Sequence, residues 1–368
     1  MSRSLPRLHR VEALHVRVPF RQPFVTTTGV FTHRSSWILR LRDIDGNEGF
    51  GEVAWDPATS RADYSAIGGA VREAVAVLGT GRLPDQAELA KLDAAGRSIA
   101  NGLDEALEQV ALGGAAPDTI PAVGRSSVAV NATVGVADPR EAAVTASRAV
   151  AAGFTCLKLK VGVETTQALL ERVGAVRSAI GPTIRLRLDA NAGWDFAGAL
   201  ERLSALAALD IEYVEQPLAR SDLDGHAALR RATAVPIALD ESADSAEAVA
   251  RILDARAADV LVIKPARVGG PCAVRAIAAR AVDAGVPVVI STFFETGIGL
   301  YAALRAAAAL PIVGRERAHG LATADMLVHD LLATPLSVAD GRMTPLDRLV
   351  PDEQALKRFA VESVGGRP

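Results

Sequence analysis

Ile184-Arg185-Leu186-Arg187-Leu188-Asp189-Ala190-Asn191 alternates apolar and polar residues and ends on a carboxylate, which reads as a short strand with a charged tip. The pattern returns in Ile211-Glu212-Tyr213-Val214-Glu215-Gln216-Pro217, in Val235-Pro236-Ile237-Ala238-Leu239-Asp240-Glu241-Ser242, and in Val260-Leu261-Val262-Ile263-Lys264-Pro265. The polar ends fall at 189, 215, 240 and 264, at intervals of 26, 25 and 24 residues. Alanine-rich stretches of helical character, such as Phe196 to Leu209 and Ser245 to Ala257, fill the intervals. A strand–helix unit repeating about every 25 residues predicts a β/α barrel. In that fold the C-terminal strand ends converge on one mouth. One unit earlier, Cys156-Leu157-Lys158-Leu159-Lys160-Val161-Gly162 supplies a lysine in the equivalent place. Lys160, Asp189, Glu215, Asp240 and Lys264 are therefore expected to ring a single cavity.

Lysine is scarce: Lys91, Lys158, Lys160, Lys264 and Lys357 are the only ones among 40 basic residues. Arginine stays protonated in a protein, whereas a lysine amine changes its protonation readily when desolvated or set beside another cation. Lys158 and Lys160 share one face of a strand, which suggests a proton-transfer device. Three carboxylates on adjacent strand ends repel by roughly 4 kcal/mol per close pair at an effective dielectric near 20. A site retains them with a cation among them or with shared protons. Ligation by carboxylates alone points to a hard dication, Mg²⁺ before Mn²⁺ and against Zn²⁺. A metal flanked by two bases suits proton abstraction beside a carboxylate. The alternative is a salt-bridge ring that plugs the barrel, at a large desolvation cost.

Outward from the barrel, 368 residues at 49% hydrophobic content allow a large core and more than one domain. A net charge of −3 with mixed signs gives no polybasic footprint, so no nucleic-acid partner is expected. Cys156 and Cys272 form no disulfide framework and suit a reducing compartment. Arg3, Arg7 and Arg10 are not followed by an apolar run, and no window offers about 18 uninterrupted apolar residues. The expectation is a cytoplasmic enzyme with no membrane partner, acting on a small carboxylate; association into a homo-oligomer is the prior for barrels of this size.

Residues 1–118 lack the repeat. His9 to Val18, Ser36 to Asp43 and Gly49 to Ala54 read as an antiparallel sheet with Asp45-Gly46-Asn47 as a turn. Asp63 to Leu78 and Pro84 to Leu112 read as helices, the second broken at Ala100-Asn101-Gly102. This predicts an α+β domain capping the barrel, with the polar stretch 24–31 as a lid over the mouth. Gly113 to Asp118 serves as linker and 119–335 as the barrel, whose first strand is Ser126 to Thr133 and whose seventh is Val286 to Thr292. Thr133 is a candidate substrate contact. The eighth strand is either Ile312 to Gly314 or Ala318 to Leu321, and 336–368 is expected to pack back on the capping domain.

In order along the chain, Lys-x-Lys (158–160), Asp-Ala-Asn (189–191), Glu-Gln-Pro (215–217), Asp-Glu-Ser (240–242) and Lys-Pro-x-x-x-Gly-Gly (264–270) resemble the enolase superfamily of the muconate-lactonizing type, as does Gly49-Phe50-Gly51-Glu52 in the first domain. The resemblance implies an α+β capping domain on a (β/α)₇β barrel of TIM type. It implies Asp189, Glu215 and Asp240 as Mg²⁺ ligands, Lys160 as acid/base, Lys158 as its electrostatic neighbour, and Lys264 on the opposite face. Arg187 and Asn191 around Asp189, the run Ser291-Thr292-Phe293-Phe294-Glu295, and His319-Gly320-Leu321-Ala322-Thr323 resemble the o-succinylbenzoate synthase family of menaquinone biosynthesis. That resemblance implies a lyase with Arg187, Asn191, Ser291, Thr292, Glu295 and backbone N–H groups near Gly320 around the substrate. The departures are Thr292 and Thr296-Gly297, which stand where serines are common in that family. N-succinylamino acid racemase is the alternative. Dipeptide epimerase is disfavoured because Leu321 to Asp325 holds one acid only, muconate cycloisomerase by the same region, and a non-catalytic barrel because no lysine or ligand is lost.

Overall fold

The computed structural model describes residues 6–26, 29–55, 61–113, 125–135, 138–162 and 164–366. The first of its two layers is the cap. Strands β1 (Leu8–Thr26), β2 (Gly29–Asp43) and β3 (Glu48–Val53) pair antiparallel and are followed by α1 (Arg61–Gly79), α2 (Gln86–Ala90) and α3 (Asp93–Ala111). One face of this sheet packs Val11, Ala13, Leu39 and Leu41 against Val71, Val75, Ile99 and Leu103 of the helices. Its other face sends Val16, Val18, Phe20 and Ile38 into the large core of the barrel.

The stretch 24–31 differs from its reading as a loop. Phe24 pairs with Phe31, Val25 with Val30 and Thr26 with Gly29, so it is the end of a long hairpin, with 27–28 outside the described residues. Pro19 and Pro23 masked the strand; it tolerates them because its register shifts between Pro19 and Phe24. The hairpin lies against the barrel through a Phe20–Leu327 bridge and a bond from Val328 N to Pro19 O at 2.9 Å. The break expected at Ala100-Asn101-Gly102 is absent. The helix is interrupted earlier, at Lys91–Leu92, and α3 runs through Gly102 because β3 lies on it: a Cβ on Gly51 would stand 1.9 Å from Gly102 O.

The barrel follows. β4 (Val128–Ala129), β5 (Ala132–Val134), α4 (Pro139–Ala151), β6 (Cys156–Lys160), α5 (Thr166–Ile180), β7 (Arg185–Asp189), α6 (Phe196–Leu206), β8 (Ile211–Glu215), α7 (Leu223–Ala232) and β9 (Ile237–Leu239) come first. Then come α8 (Ala246–Asp254), β10 (Val260–Ile263), α9 (Pro265–Val268), α10 (Pro271–Asp283), β11 (Val288–Ile290) and α11 (Gly297–Ala309). Strands β5 to β11 form one parallel sheet in sequential order. The eighth position falls at His319 and Gly320, which bridge in parallel to Val130 and Ser291 and so connect the two edges. Ile312 to Gly314 takes no strand. The predicted first strand divides: β4 pairs instead with β13 (Arg342–Met343), itself paired with β12 (Val338–Ala339).

Local chemistry places the helices. Asp138, Thr165, Asp195, Asp222, Ser245 and Thr296 each cap the helix that follows by accepting a backbone N–H. Along the strands, Leu159, Leu186, Leu188, Val214, Leu261 and Ile263 belong to the large core shared with the helices. Tyr213, Ala238, Val260, Val262 and Val289 form a separate cluster on the opposite, barrel-interior side. The chain ends with α12 (Glu353–Phe359) and β14 (Ala360–Gly366), and β14 returns to the cap sheet beside β1.

Candidate active site

Register brings the site together. Lys160 stands opposite Asp189 and Asp189 opposite Glu215 across β6, β7 and β8, while Asp240 and Lys264 directly follow β9 and β10. With β7, β8 and β9 between β6 and β10, the two lysine positions bracket the three carboxylates. Asp189, Glu215 and Asp240 are almost fully buried, whereas the Lys160 side chain is 36% exposed toward the mouth.

Each carboxylate is drawn to a cation. Lys158 Nζ lies 2.7 Å from both Asp189 Oδ2 and Glu215 Oε1, and Lys160 Nζ lies 2.7 Å from Asp189 Oδ2. Asp240 pairs with Lys264 and, at 2.6 Å, with Arg267 Nη1. Both of those cations lie over the Phe293 ring, 5.3 and 4.9 Å from its centre. Burial pushes Glu215 up to about 7, aided by Asp189 and Asp240 and opposed by Lys158. Burial acts likewise on Asp189, but Lys158 and Lys160 outweigh it and hold that carboxyl well below the usual range. Burial would lower Lys158, yet Asp189, Glu215 and Asp240 keep it well above its ordinary value, so it is a fixed cation. With these pairings, no three His, Cys, Asp or Glu side chains among the described residues stand close enough to share one ion.

Backbone strain and side-chain clamps fix the strand ends. Asn191, Ala192 and Gln216 all have positive φ, at 44°, 60° and 41°. Asn191 accepts from Lys160 Nζ at 2.9 Å and donates to Glu241 Oε1 at 3.1 Å. Gln216 Oε1 accepts from the N–H groups of Asp240 and Ser242, and its Nε2 donates to Ser242 Oγ and Leu218 O. Sequence reasoning passed over Gln216, Glu241 and Arg267. The signal for Arg267 was available, since a residue three beyond Lys264 falls on the same side of a one-turn helix.

The remaining candidate contacts differ in depth and in the partners they hold. Arg187 is fully buried two residues before Asp189, one layer below the mouth by about 7 Å. There its Nε donates to Glu212 at 2.6 Å, its Nη1 to Ala318 O at 2.8 Å, and its plane lies over Tyr213. Gly320 N–H is spent on Ile290 O at 2.8 Å, so it is not free for a carboxylate. Glu295 turns from the lysines toward the cap, where its Oε2 accepts from Phe293 N at 2.5 Å. Burial, with Glu52 nearby and Arg34 opposing, pushes it up to about 7. Thr133 is exposed, level with Lys158; Ser291 is half-buried beside Gly320; Thr292 is buried with its Oγ1 3.4 Å from Thr323 Oγ1.

Residues 141–352 match the family described as enolase C-terminal domain-like. An o-succinylbenzoate synthase of Thermobifida fusca is 42% identical over 245 residues, 66% of this chain and 74% of that one. Another, of Mycobacterium marinum, is 39% identical over 64% of this chain and 69% of its own length. Among solved structures, muconate lactonizing enzyme of Pseudomonas fluorescens superposes with a TM-score of 0.85 at 25% identity, covering 97% of this chain and 100% of that one. The L-Ala-D/L-Glu epimerase of Bacillus subtilis gives 0.81 at 26%, covering 93% and 97%. With a barrel ringed by lysines and carboxylates beneath an α+β cap, this chain belongs to the enolase superfamily.

Proposed function

We propose that this chain is a hydro-lyase that dehydrates 2-succinyl-6-hydroxy-2,4-cyclohexadiene-1-carboxylate to o-succinylbenzoate. The observation that carries the reading is the pair of lysine positions on either side of three buried strand-end carboxylates, in a chain about 40% identical to enzymes of that name. Asp189, Glu215 and Asp240 would hold Mg²⁺, with Mn²⁺ as substitute. The donor chemistry fits, being oxygen only, and burial first, then the neighbouring Asp189 and Asp240, pushes Glu215 up to about 7. When bound, the dication supplies the positive charge that proton abstraction beside a carboxylate requires.

The chain's own groups do the rest. Lys160, as the free amine, takes the proton α to the substrate carboxylate. It returns a proton to the hydroxyl on the same face as the C–O bond breaks. Water leaves, a C=C bond forms, and the ring becomes aromatic, so the elimination is syn. Asn191 and Asp189 aim the amine; Lys158, a fixed cation between Asp189 and Glu215, holds those carboxylates in place. Lys264 supports the developing negative charge from the other face. The Thr133 hydroxyl and the Ser291–Thr292 segment face the substrate, while Arg187 and Glu295 act as scaffold.

Racemisation of N-succinylamino acids is the second reading, favoured by the lysine on each face. It requires Lys264 to exchange a proton as Lys160 does. Lys160→Ala tests the first reading: turnover is expected to fall at least about a thousandfold while the fold and its melting point persist. Unimpaired dehydration by that variant would remove Lys160 from the chemistry.

A further inference from the structure

The end of the barrel opposite the mouth gathers six arginines around two carboxylates. Glu212 accepts from Arg187 Nε at 2.6 Å and Arg315 Nη2 at 2.9 Å. Glu316 pairs with Arg342 Nη2 at 3.1 Å and Arg125 Nη1 at 3.5 Å. Arg185 and Arg317 donate to backbone oxygens, those of Glu316 and Val313. Arg125, Arg315, Glu316, Arg317 and His319 line an open cleft there, walled by Leu310 to Val313.

This cleft holds unspent donors. The Nε atoms of Arg125 and Arg317 are buried and have no hydrogen-bond partner among the described residues. His319 is 2% exposed, and its Nδ1 accepts the Ile290 N–H at 3.0 Å, so Nε2 carries the ring hydrogen. His319 is also among the residues that line the cleft. Like charges crowd the place as well. Burial first, then Arg125 and Arg187, holds His319 far below its ordinary range, and burial followed by Arg315 and Arg187 depresses Arg317 against the pull of Glu212. Glu316 is already engaged by Arg342 and Arg125 and leaves the excess of cations uncompensated.

We propose that this cleft is an anion site that takes a doubly charged oxyanion of the phosphate type on Arg125, Arg315, Arg317 and the Nε2–H of His319. Forked guanidinium donors and one neutral N–H suit a tetrahedral group with several acceptors, and two negative charges offset the local excess. The site is separate from the mouth and does not depend on the reaction run there.

The test is thermal unfolding of the whole chain in inorganic phosphate against chloride at matched ionic strength. Wild type is compared with Arg315→Gln, Arg317→Gln, the double variant, and Arg280→Gln as an exposed control. The expected result is a rise of about 2 °C at phosphate tenfold above Kd in wild type and the control, reduced in each single variant and absent in the double. A single variant serves if the double does not fold. A rise of the same size in Lys160→Ala excludes binding at Lys160, the most exposed lysine of the mouth. Equal stabilisation by glycerol 3-phosphate assigns the site to phosphomonoesters, and stabilisation by inorganic phosphate alone assigns it to the free ion. No rise in wild type, or one that survives in the double variant, overturns the proposal.

Discussion

Lys160 reaches the mouth from the last position of its strand, and two acceptors of different kinds hold it there. Asp189 is also claimed by Lys158, which leaves the amide of Asn191, itself anchored by Glu241, as the acceptor that Lys160 need not share with another lysine. Asn191→Ala is expected to lower kcat about 10- to 100-fold with a smaller change in KM, because misaiming the amine costs rate more than binding. Steady-state kinetics separate the two, and an unchanged kcat removes Asn191 from this role. At the opposite end of the barrel, His319 is buried as the neutral ring, with a folded pKa near 3 against 6.5 unfolded. The unfolded chain therefore binds the extra proton between those values. The stability from burying the neutral ring is full above pH 6.5 and is lost as pH falls toward 3, by up to about 5 kcal/mol. Denaturant titrations from pH 7 to 4 are expected to show a steeper loss in wild type than in His319→Asn, whose amide oxygen can still accept from Ile290. Parallel curves contradict the assignment. At this scale the sequence was a partial guide. Residue type at a strand end announced Lys160 and the carboxylates, but depth is what pattern alone does not give: Arg187 shares a face with Asp189 yet lies a layer beneath it, fully buried.

Between elements, period and close approach carry the fold. The recurrence near 25 residues located β6 to β10, since each strand buries one apolar face against helices and offers the other to the interior. Prolines concealed the length of β1, and the eighth strand was ambiguous because two bridges replace a full ladder. The glycines of Gly49-Phe50-Gly51-Glu52 have a steric reason visible only in three dimensions. A Cβ at position 49 would stand 2.0 Å from Ala106 O, much as one at 51 would meet Gly102 O, so β3 lies directly on the backbone of α3. Gly51→Ala must push strand and helix apart. A destabilisation of about 2–3 kcal/mol or more is expected from chemical unfolding, and a stability equal to wild type would mean that the cap repacks without strain.

Across the whole molecule, the cap is tied to the barrel beside the mouth. Glu52 accepts from Thr296 N, Thr296 Oγ1 and Gly299 N at the start of α11, where a carboxylate complements the helix N-terminus. Arg97 Nε donates to Arg267 O at 2.9 Å, which links α3 to the residue that also grips Asp240. Neither tie was legible in the sequence, because their partners are 170 or more residues apart and carry no shared pattern. The barrel, its lysines and its carboxylates were legible because each repeats at a fixed place in a repeated unit. These strand-end groups are proposed to run a metal-dependent dehydration, and one assay addresses that reaction directly. The purified chain is given 2-succinyl-6-hydroxy-2,4-cyclohexadiene-1-carboxylate, and formation of the aromatic product is followed by absorbance with Mg²⁺, after chelation, and after Mn²⁺ is restored. Turnover with Mg²⁺, loss on chelation, and recovery with either metal are expected. Turnover that persists in the chelator contradicts the metal assignment, and absence of product in every arm alongside rapid racemisation of N-succinylamino acids contradicts the proposed reaction.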